Sequence, residues 1–203
     1  MATSAQRGPG RPRRQAGEEA TAERILRAAT HLFAQRGFDG VGMRDIAAAV
    51  DLNIASVHHH VGSKAALYDA VFARVFAEEE DVVRRAAEAV RAHPEGAIGG
   101  LHALLDAYVD FAERRPEMTM LWLRRWLEPT KHERLDEEYA LPLYRLVEDL
   151  LGEVGEPTPR AAVRSIVWAV HGHITATAAG AGSGEDFRAY AHRLLDALYG
   201  GGD

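Results

Sequence analysis

Residues Val41 to Lys64 read VGMRDIAAAVDLNIASVHHHVGSK, and the alternation of apolar and turn-forming residues within them decides the fold. Met43, Ile46, Ala47 and Val50 recur at offsets of three and four, which places them on one face of a short helix of about Met43 to Val50. Asp51 breaks that period, and Leu52 supplies an apolar plug for the turn. Asn53 is a strong N-cap for a second short helix running to about His60, because its side-chain oxygen can accept from backbone amides that have no helical partner. In that second helix Val57 and Val61 are expected inward. Ile54, Ala55, Ser56, His58, His59 and His60 are left facing largely outward, as a helix lying in a DNA groove requires. The stretch predicts a helix-turn-helix.

The same residues carry a family resemblance. Ile46, Ala47, Leu52, Asn53, Ala55, Ser56, Val57, His60, Ser63, Lys64 and Leu67 resemble, with near substitutes, the DNA-binding signature of TetR-type transcriptional regulators. Upstream, Ile25, Leu26, Ala28, Ala29, Leu32, Phe33, Ala34, Gly37 and Phe38 extend the match to about fifty residues at fixed spacing. The sequence departs from the family at Asp51, where Gly is usual, at His58, where Tyr is usual, and at Val61, where Phe is usual. The resemblance implies that Arg44, Ile54, Ala55, Ser56 and His60 face base edges, while His58, His59, Ser63 and Lys64 meet phosphates, with Asn53 at the same surface. It also implies an effector pocket and a dimer interface in the C-terminal part.

Charge is split along the 203 residues. Positions 1–64 hold nine basic and six acidic residues, a net +3, whereas 65–203 hold fifteen and twenty-four, a net −9, together the chain's −6. A basic end on an acidic body confines DNA attraction to one part of the chain. No cysteine is present, which removes disulfide and thiolate chemistry. No run approaches the ~18 consecutive apolar residues of a membrane span, and no signal-like segment opens the sequence. A soluble, cytoplasmic protein with no membrane partner is expected.

Residues 1–17, MATSAQRGPGRPRRQAG, lack any hydrophobic period and are expected to form a disordered basic arm. Within it Gly10-Arg11-Pro12-Arg13 resembles the core of an AT-hook, which lays arginines such as Arg11 and Arg13 into a narrow minor groove; a solvated tail is the alternative. A helix is predicted from Glu18 to Arg36, with Gly37 as its C-cap, completing a DNA-binding domain over 18–64. The remainder, 65–203, reads as an effector-binding and dimerisation domain of helices only. Ser63 caps a helix from Lys64 to about Ala92, with Val82 on its apolar side and Glu78 to Asp81 as a solvated acidic patch. Further helices are expected over about 95–115, 117–127, 131–152, 160–179 and 185–199, bounded by Pro94, Pro116, Pro129, the loop 155–159 and the glycines of 180–184, with Pro142 kinking or interrupting the third. The fold class is all-α, with about nine helices.

Three readings compete for the function. Ten histidines invite a metal site, yet none stand three or four apart, and His58, His59 and His60 fan out at about 100° each. His102/Asp106, His132/Asp136 and His192/Asp196 are i,i+4 pairs expected to make surface hydrogen bonds. Neither a metal, a cofactor nor a nucleophile–base constellation is therefore expected, and an enzyme is the weakest reading. An architectural DNA-binding protein without effector is the second, but it leaves the long acidic body unused. The first is a DNA-binding transcriptional regulator, a repressor acting as a homodimer on a near-palindromic operator and answering a small, mostly apolar effector. The effector is expected among Tyr108, Phe111, Met118, Trp122, Trp126, Tyr144, Trp168 and His171, large side chains on helices broken by prolines. Dimerisation is expected through Ile166, Ala169, Val170, His173, Thr177, Phe187, Tyr190, Leu194 and Leu198 of the last two helices.

Overall fold

The computed structural model describes residues 11–127, 133–181 and 187–199, with the side chains of 17–127, 134–181 and 187–199 among them. Every regular element among the described residues is helical. Contacts divide the chain between Val71 and Phe72 into two compact units. No helix among the described residues is long and apolar enough to cross a membrane.

The first unit holds α1 (Arg11–Arg36), α2 (Met43–Ala49), α3 (Ile54–Val61) and the opening turns of α4 (Lys64–Val90). Its core is built where the apolar periods converge: Ile25, Ala29 and Phe33 of α1, Ile46 of α2, Val57 of α3 and Leu67 and Val71 of α4 are all fully buried. Burying each large side chain contributes about 1.5–3 kcal/mol. An aromatic cluster closes one side, Tyr68 meeting Phe33 and Phe38 edge-on at 5.0 Å each. Gly37, at φ 72°, ends α1 by donating to the Phe33 carbonyl at 2.9 Å.

Helical backbone begins at Arg11, where a disordered arm reaching Gly17 and an extended AT-hook were expected. Gln15, Ala16 and the arginines are good helix formers, and Pro12 falls in the first turn, where its missing N–H costs nothing. Residues 1–10 and the side chains of Arg11 and Arg13 lie outside the described residues.

The second unit contains the rest of α4, α5 (Gly96–Arg114), α6 (Pro116–Leu127), α7 (Glu133–Leu135), a π-helical turn (Asp136–Ala140), α8 (Leu141–Glu153), α9 (Pro159–Ala178) and α10 (Phe187–Tyr199). Gly100 lets α5 approach the end of α4, since a Cβ there would lie 2.6 Å from the Val90 backbone. α9 packs on α8, α6 and α5, whereas α10 packs mainly on α5. The expected interruption at Pro142 takes the form of the π turn: the proline has no N–H to donate, and Leu141 donates five residues back to the Asp136 carbonyl. Pro129 and most of the glycine run 180–184 lie outside the described residues.

Candidate nucleic-acid interface and buried cavity

The turn between α2 and α3 is fixed by backbone chemistry at both helix ends. At the start of α2 the Asp45 carboxylate accepts from the Gly42 N–H at 2.7 Å. At its end Asp51 adopts φ 54°, its N–H donating to the Ala48 carbonyl and that of Leu52 to Ala47. These two bonds close a Schellman motif, and they explain why Gly is the common residue where this chain has Asp51. Arg24 of α1 donates to the Val50 carbonyl at 2.7 Å, placing a cation on the negative end of α2. Asn53 caps α3 as expected, accepting from the Ser56 N–H at 2.8 Å.

With Val57 wholly buried, α3 turns its other residues outward. Ile54 is 40% exposed at the N-terminal end, Ala55, His58 and His59 are exposed, and Ser56 and His60 are partly so. Arg44 is exposed on α2. Val61, expected inward, is only half-buried, because α3 ends there and Gly62 at φ 71° turns the chain away. The ring of His58 bonds the Gly62 carbonyl through Nδ1 at 2.8 Å. A carbonyl can only accept, so the proton is on Nδ1 and Nε2 is left for whatever approaches. The exposed Ser63 caps α4 by accepting from the Ala66 N–H at 3.1 Å. Lys64 holds its ammonium 4.2 Å above the Phe38 ring, a cation–π contact that fixes the stem's direction.

The second unit holds a cavity of about 380 Å³, partly open to the surface, between α5, α8, α9 and α10, with Glu79 and Val83 of α4 in its wall. Tyr108 and Tyr144 line it; Trp126, Trp168 and again Tyr144 line a smaller cavity of about 250 Å³ beside the π turn. Phe111, Met118 and Trp122 line neither and are packed into the core, at 4%, 0% and 3% exposure. The reason is that Trp122 is held edge-on by Phe72 at 5.3 Å and against Trp126 at 6.1 Å. His171, expected to touch a ligand, is buried behind Tyr108, its Nε2 2.9 Å from the phenol oxygen.

Glu79 is the cavity residue that the sequence reading missed. It was placed in a solvated acidic patch, but it is 6% exposed and lines the larger cavity. Trp122 donates its indole N–H to Glu79 at 3.3 Å, and Tyr108 also bonds it. Burial pushes its carboxyl up to about 7 against the opposing pull of those two donors. Burial likewise pushes His171 down to about 4, raises Tyr108, and raises Tyr144. Helical period carried the signal: position 79 follows Val75 by four and precedes Val83 by four, both buried, whereas Val82, expected on that side, is half-buried.

The last two helices present a mixed face. Tyr190, Leu194 and Leu198 of α10 are 57%, 43% and 59% exposed, Ala169 and Thr177 are exposed and Ile166 partly so. Val170, expected at a dimer interface, is instead fully buried, in the wall of the larger cavity where α9 packs on α8, α6 and α5. His173 stacks on Phe187 at 4.5 Å. The expected i,i+4 histidine–aspartate pairs are exchanged between helices: His192 bonds Asp106 at 2.9 Å, His102 lies 3.0 Å from Asp196, and the two rings stack at 4.4 Å. No group of three or more His, Asp or Glu among the described residues is placed to hold a metal ion.

Residues 25–71 match the family described as bacterial regulatory proteins, tetR family, and residues 101–198 match the tetracyclin repressor-like C-terminal domain. Over 55 residues the chain is 47% identical to the HTH-type transcriptional repressor Rv3405c of Mycobacterium tuberculosis and to the HTH-type transcriptional regulator Mb3439c of Mycobacterium bovis. That match spans 27% of this chain and 29% of each relative. Among solved structures, a TetR-like transcriptional regulator from Rhodococcus sp. RHA1 aligns with a TM-score of 0.71 at 18% identity, over 90% of this chain and 97% of that one. HlyIIR, a hemolysin II transcriptional regulator, aligns with a TM-score of 0.67 at 19% identity, over 90% and 98%. At these identities the likeness to solved structures is one of fold.

Proposed function

The chain belongs to the tetR family of bacterial transcriptional regulators, and we propose that it is a repressor that binds a near-palindromic operator as a homodimer and leaves it when a small, mostly apolar effector enters the second unit. The observation that carries the DNA-binding part is the outward face of α3. Its one fully buried residue, Val57, fixes the helix on the core, so Ile54, Ala55, Ser56 and His60 are free to meet base edges. Arg44 reads a base by a bidentate contact, whereas His58, His59, Ser63 and Lys64 meet phosphates, which set register without sequence information. A twofold dimer spaces its two α3 helices at about 34–36 Å or a multiple to reach successive turns of one groove.

Operator selection with the purified protein, followed by titration at several salt concentrations, tests these roles. Arg44→Ala is expected to lose roughly 1–3 kcal/mol of discrimination at one position per half-site. Lys64→Ala is expected to weaken all sequences alike and to flatten the salt dependence. The assignment fails if Lys64→Ala changes the preferred sequence while Arg44→Ala does not.

The effector part rests on the 380 Å³ cavity, a size typical of small-molecule sites. α4 carries Lys64 at one end and Glu79 and Val83 at the cavity wall in one unbroken helix, giving an occupant a covalent route towards the DNA-binding unit. An effector shifts operator affinity only by its differential affinity for the two states, typically ~1–3 kcal/mol.

A further inference from the structure

The wall of the larger cavity is apolar except for a few polar groups, and their signs are one-sided. Its charged residues are both acids, Glu79 and Glu156, and no Lys, Arg or His lines it among the described residues. Glu156 is already satisfied: it accepts from the Thr158 N–H and hydroxyl at 2.7 and 2.9 Å and from the Tyr199 hydroxyl at 2.6 Å. Glu79 is different, because it is buried and has two neutral donors but no cation facing it. From α6 comes the Trp122 indole, from α5 the Tyr108 phenol, backed by His171 of α9, and from α8 the Tyr144 phenol; Arg164 and Asp136 act on Tyr144. A buried carboxylate without a counter-charge is costly. An anionic ligand would add a like charge, and a neutral one would leave that cost in place.

We infer that the cavity takes an apolar molecule carrying one amine, with its ammonium group paired to Glu79 and its apolar body against Leu104, Leu143 and Val167. This rests on the effector reading above and names the chemical class of the occupant. Tyr108 and Trp122 orient the carboxylate as donors, so the ammonium completes an existing set of hydrogen bonds. When Glu79 is ionised, Tyr108 donates to it and His171 Nε2–H donates to Tyr108; when Glu79 is protonated, the direction of the chain reverses.

The pH dependence follows from the same geometry. Of the groups facing Glu79, Tyr108 and Tyr144 are raised and stay neutral between pH 6 and 8, and His171, held down to about 4, is neutral as well. Glu79, at about 7, is the member of this set that changes charge there. An alkylamine stays protonated throughout, so its affinity rises with pH, by up to about tenfold per unit below 7 and little above it.

Calorimetric titration of the full-length protein with decylamine, decanol and decanoate, each below its aggregation limit, tests the inference. Decylamine is expected to bind at least about tenfold more tightly than decanol, with decanoate weakest. Glu79→Gln, which keeps the acceptor for Trp122, is expected to lose the preference for decylamine over decanol and its pH slope. Should Glu79→Gln fold poorly, the pH slope of decylamine against decanol in the unaltered protein decides the matter. Decanol or decanoate binding as tightly as decylamine overturns the amine class and leaves the effector cavity standing. Absence of binding by all three overturns both.

Discussion

His58 shows how a single hydrogen bond fixes what a residue can offer a phosphate. Because Nδ1 donates to Gly62, the neutral ring presents an Nε2 lone pair, which repels a phosphate oxygen; only the protonated ring presents an N–H and a charge. His58→Tyr, with a hydroxyl free to donate, is therefore expected to raise operator affinity several-fold at fixed pH and salt. A fluorescence-anisotropy titration in which that variant binds no more tightly than the parent would exclude the role. Glu79 and His171 act on stability with opposite signs. The folded protein keeps the Glu79 proton up to about pH 7 while the unfolded chain releases it near 4.5, so stability falls as pH rises through that window, by up to about 3 kcal/mol. Neutral His171 costs stability as pH falls from 6.5 to about 4, where the unfolded chain is protonated and the folded one is not. Urea unfolding should find Glu79→Gln more stable than the parent by about 1–3 kcal/mol at pH 8 and nearly equal at pH 4.5. A pH-independent difference would show that Glu79 ionises as readily in the folded protein as in the unfolded chain.

At the scale of elements, the helix-turn-helix was legible because its signals are local. An N-cap Asn, an apolar period and a period-breaking residue each act within one turn of helix, and all three recur at Asn53, at Ile46 with Ala47, and at Asp51. Asp51 also gives the element its test, since a non-glycine residue held at φ 54° stores strain. Asp51→Gly is expected to be stability-neutral or mildly stabilising. Asp51→Val, with a branched Cβ in the left-handed region, should lose about 1–3 kcal/mol in thermal or urea unfolding, and equal stability of that variant would mean the turn relaxes. What escaped the sequence depended on partners distant along the chain. Glu79 is buried because Trp122 and Tyr108 reach it from two other helices, overriding the usual exposure of an acidic run. The π turn could not be told from a kink, since both answer the same missing N–H of Pro142. The crossing of His102 and His192 to each other's aspartates required α5 and α10 to be neighbours, which periodicity does not say. Large aromatic residues at helix breaks marked the right unit, but whether each lines a cavity or fills the core depended on neighbours such as Phe72 beside Trp122.

For the whole molecule, the unexplained feature is the apolar surface of α10. Tyr190, Leu194 and Leu198 fall at i, i+4 and i+8 and are exposed, next to the buried Ala191 and Leu195, and all five border the larger cavity. A stripe of large apolar side chains left exposed at this spacing is one that meets a second surface. In a twofold interface each side chain appears twice, so two leucines per subunit count four times. At about 1.5–3 kcal/mol for each large side chain buried, even half of that contribution corresponds to at least about a hundredfold in a dissociation constant. Light scattering is expected to give twice the chain mass for the parent at micromolar concentration, and the single mass for Leu194→Asp with Leu198→Asp, at unchanged helical content by circular dichroism. The same double variant should bind an isolated half-site as the parent does while losing at least about a hundredfold on the full operator, because the second head no longer arrives at high effective concentration. A dimer mass retained by the double variant would place the interface elsewhere, and a half-site affinity that fell with it would show that the aspartates had damaged the fold instead.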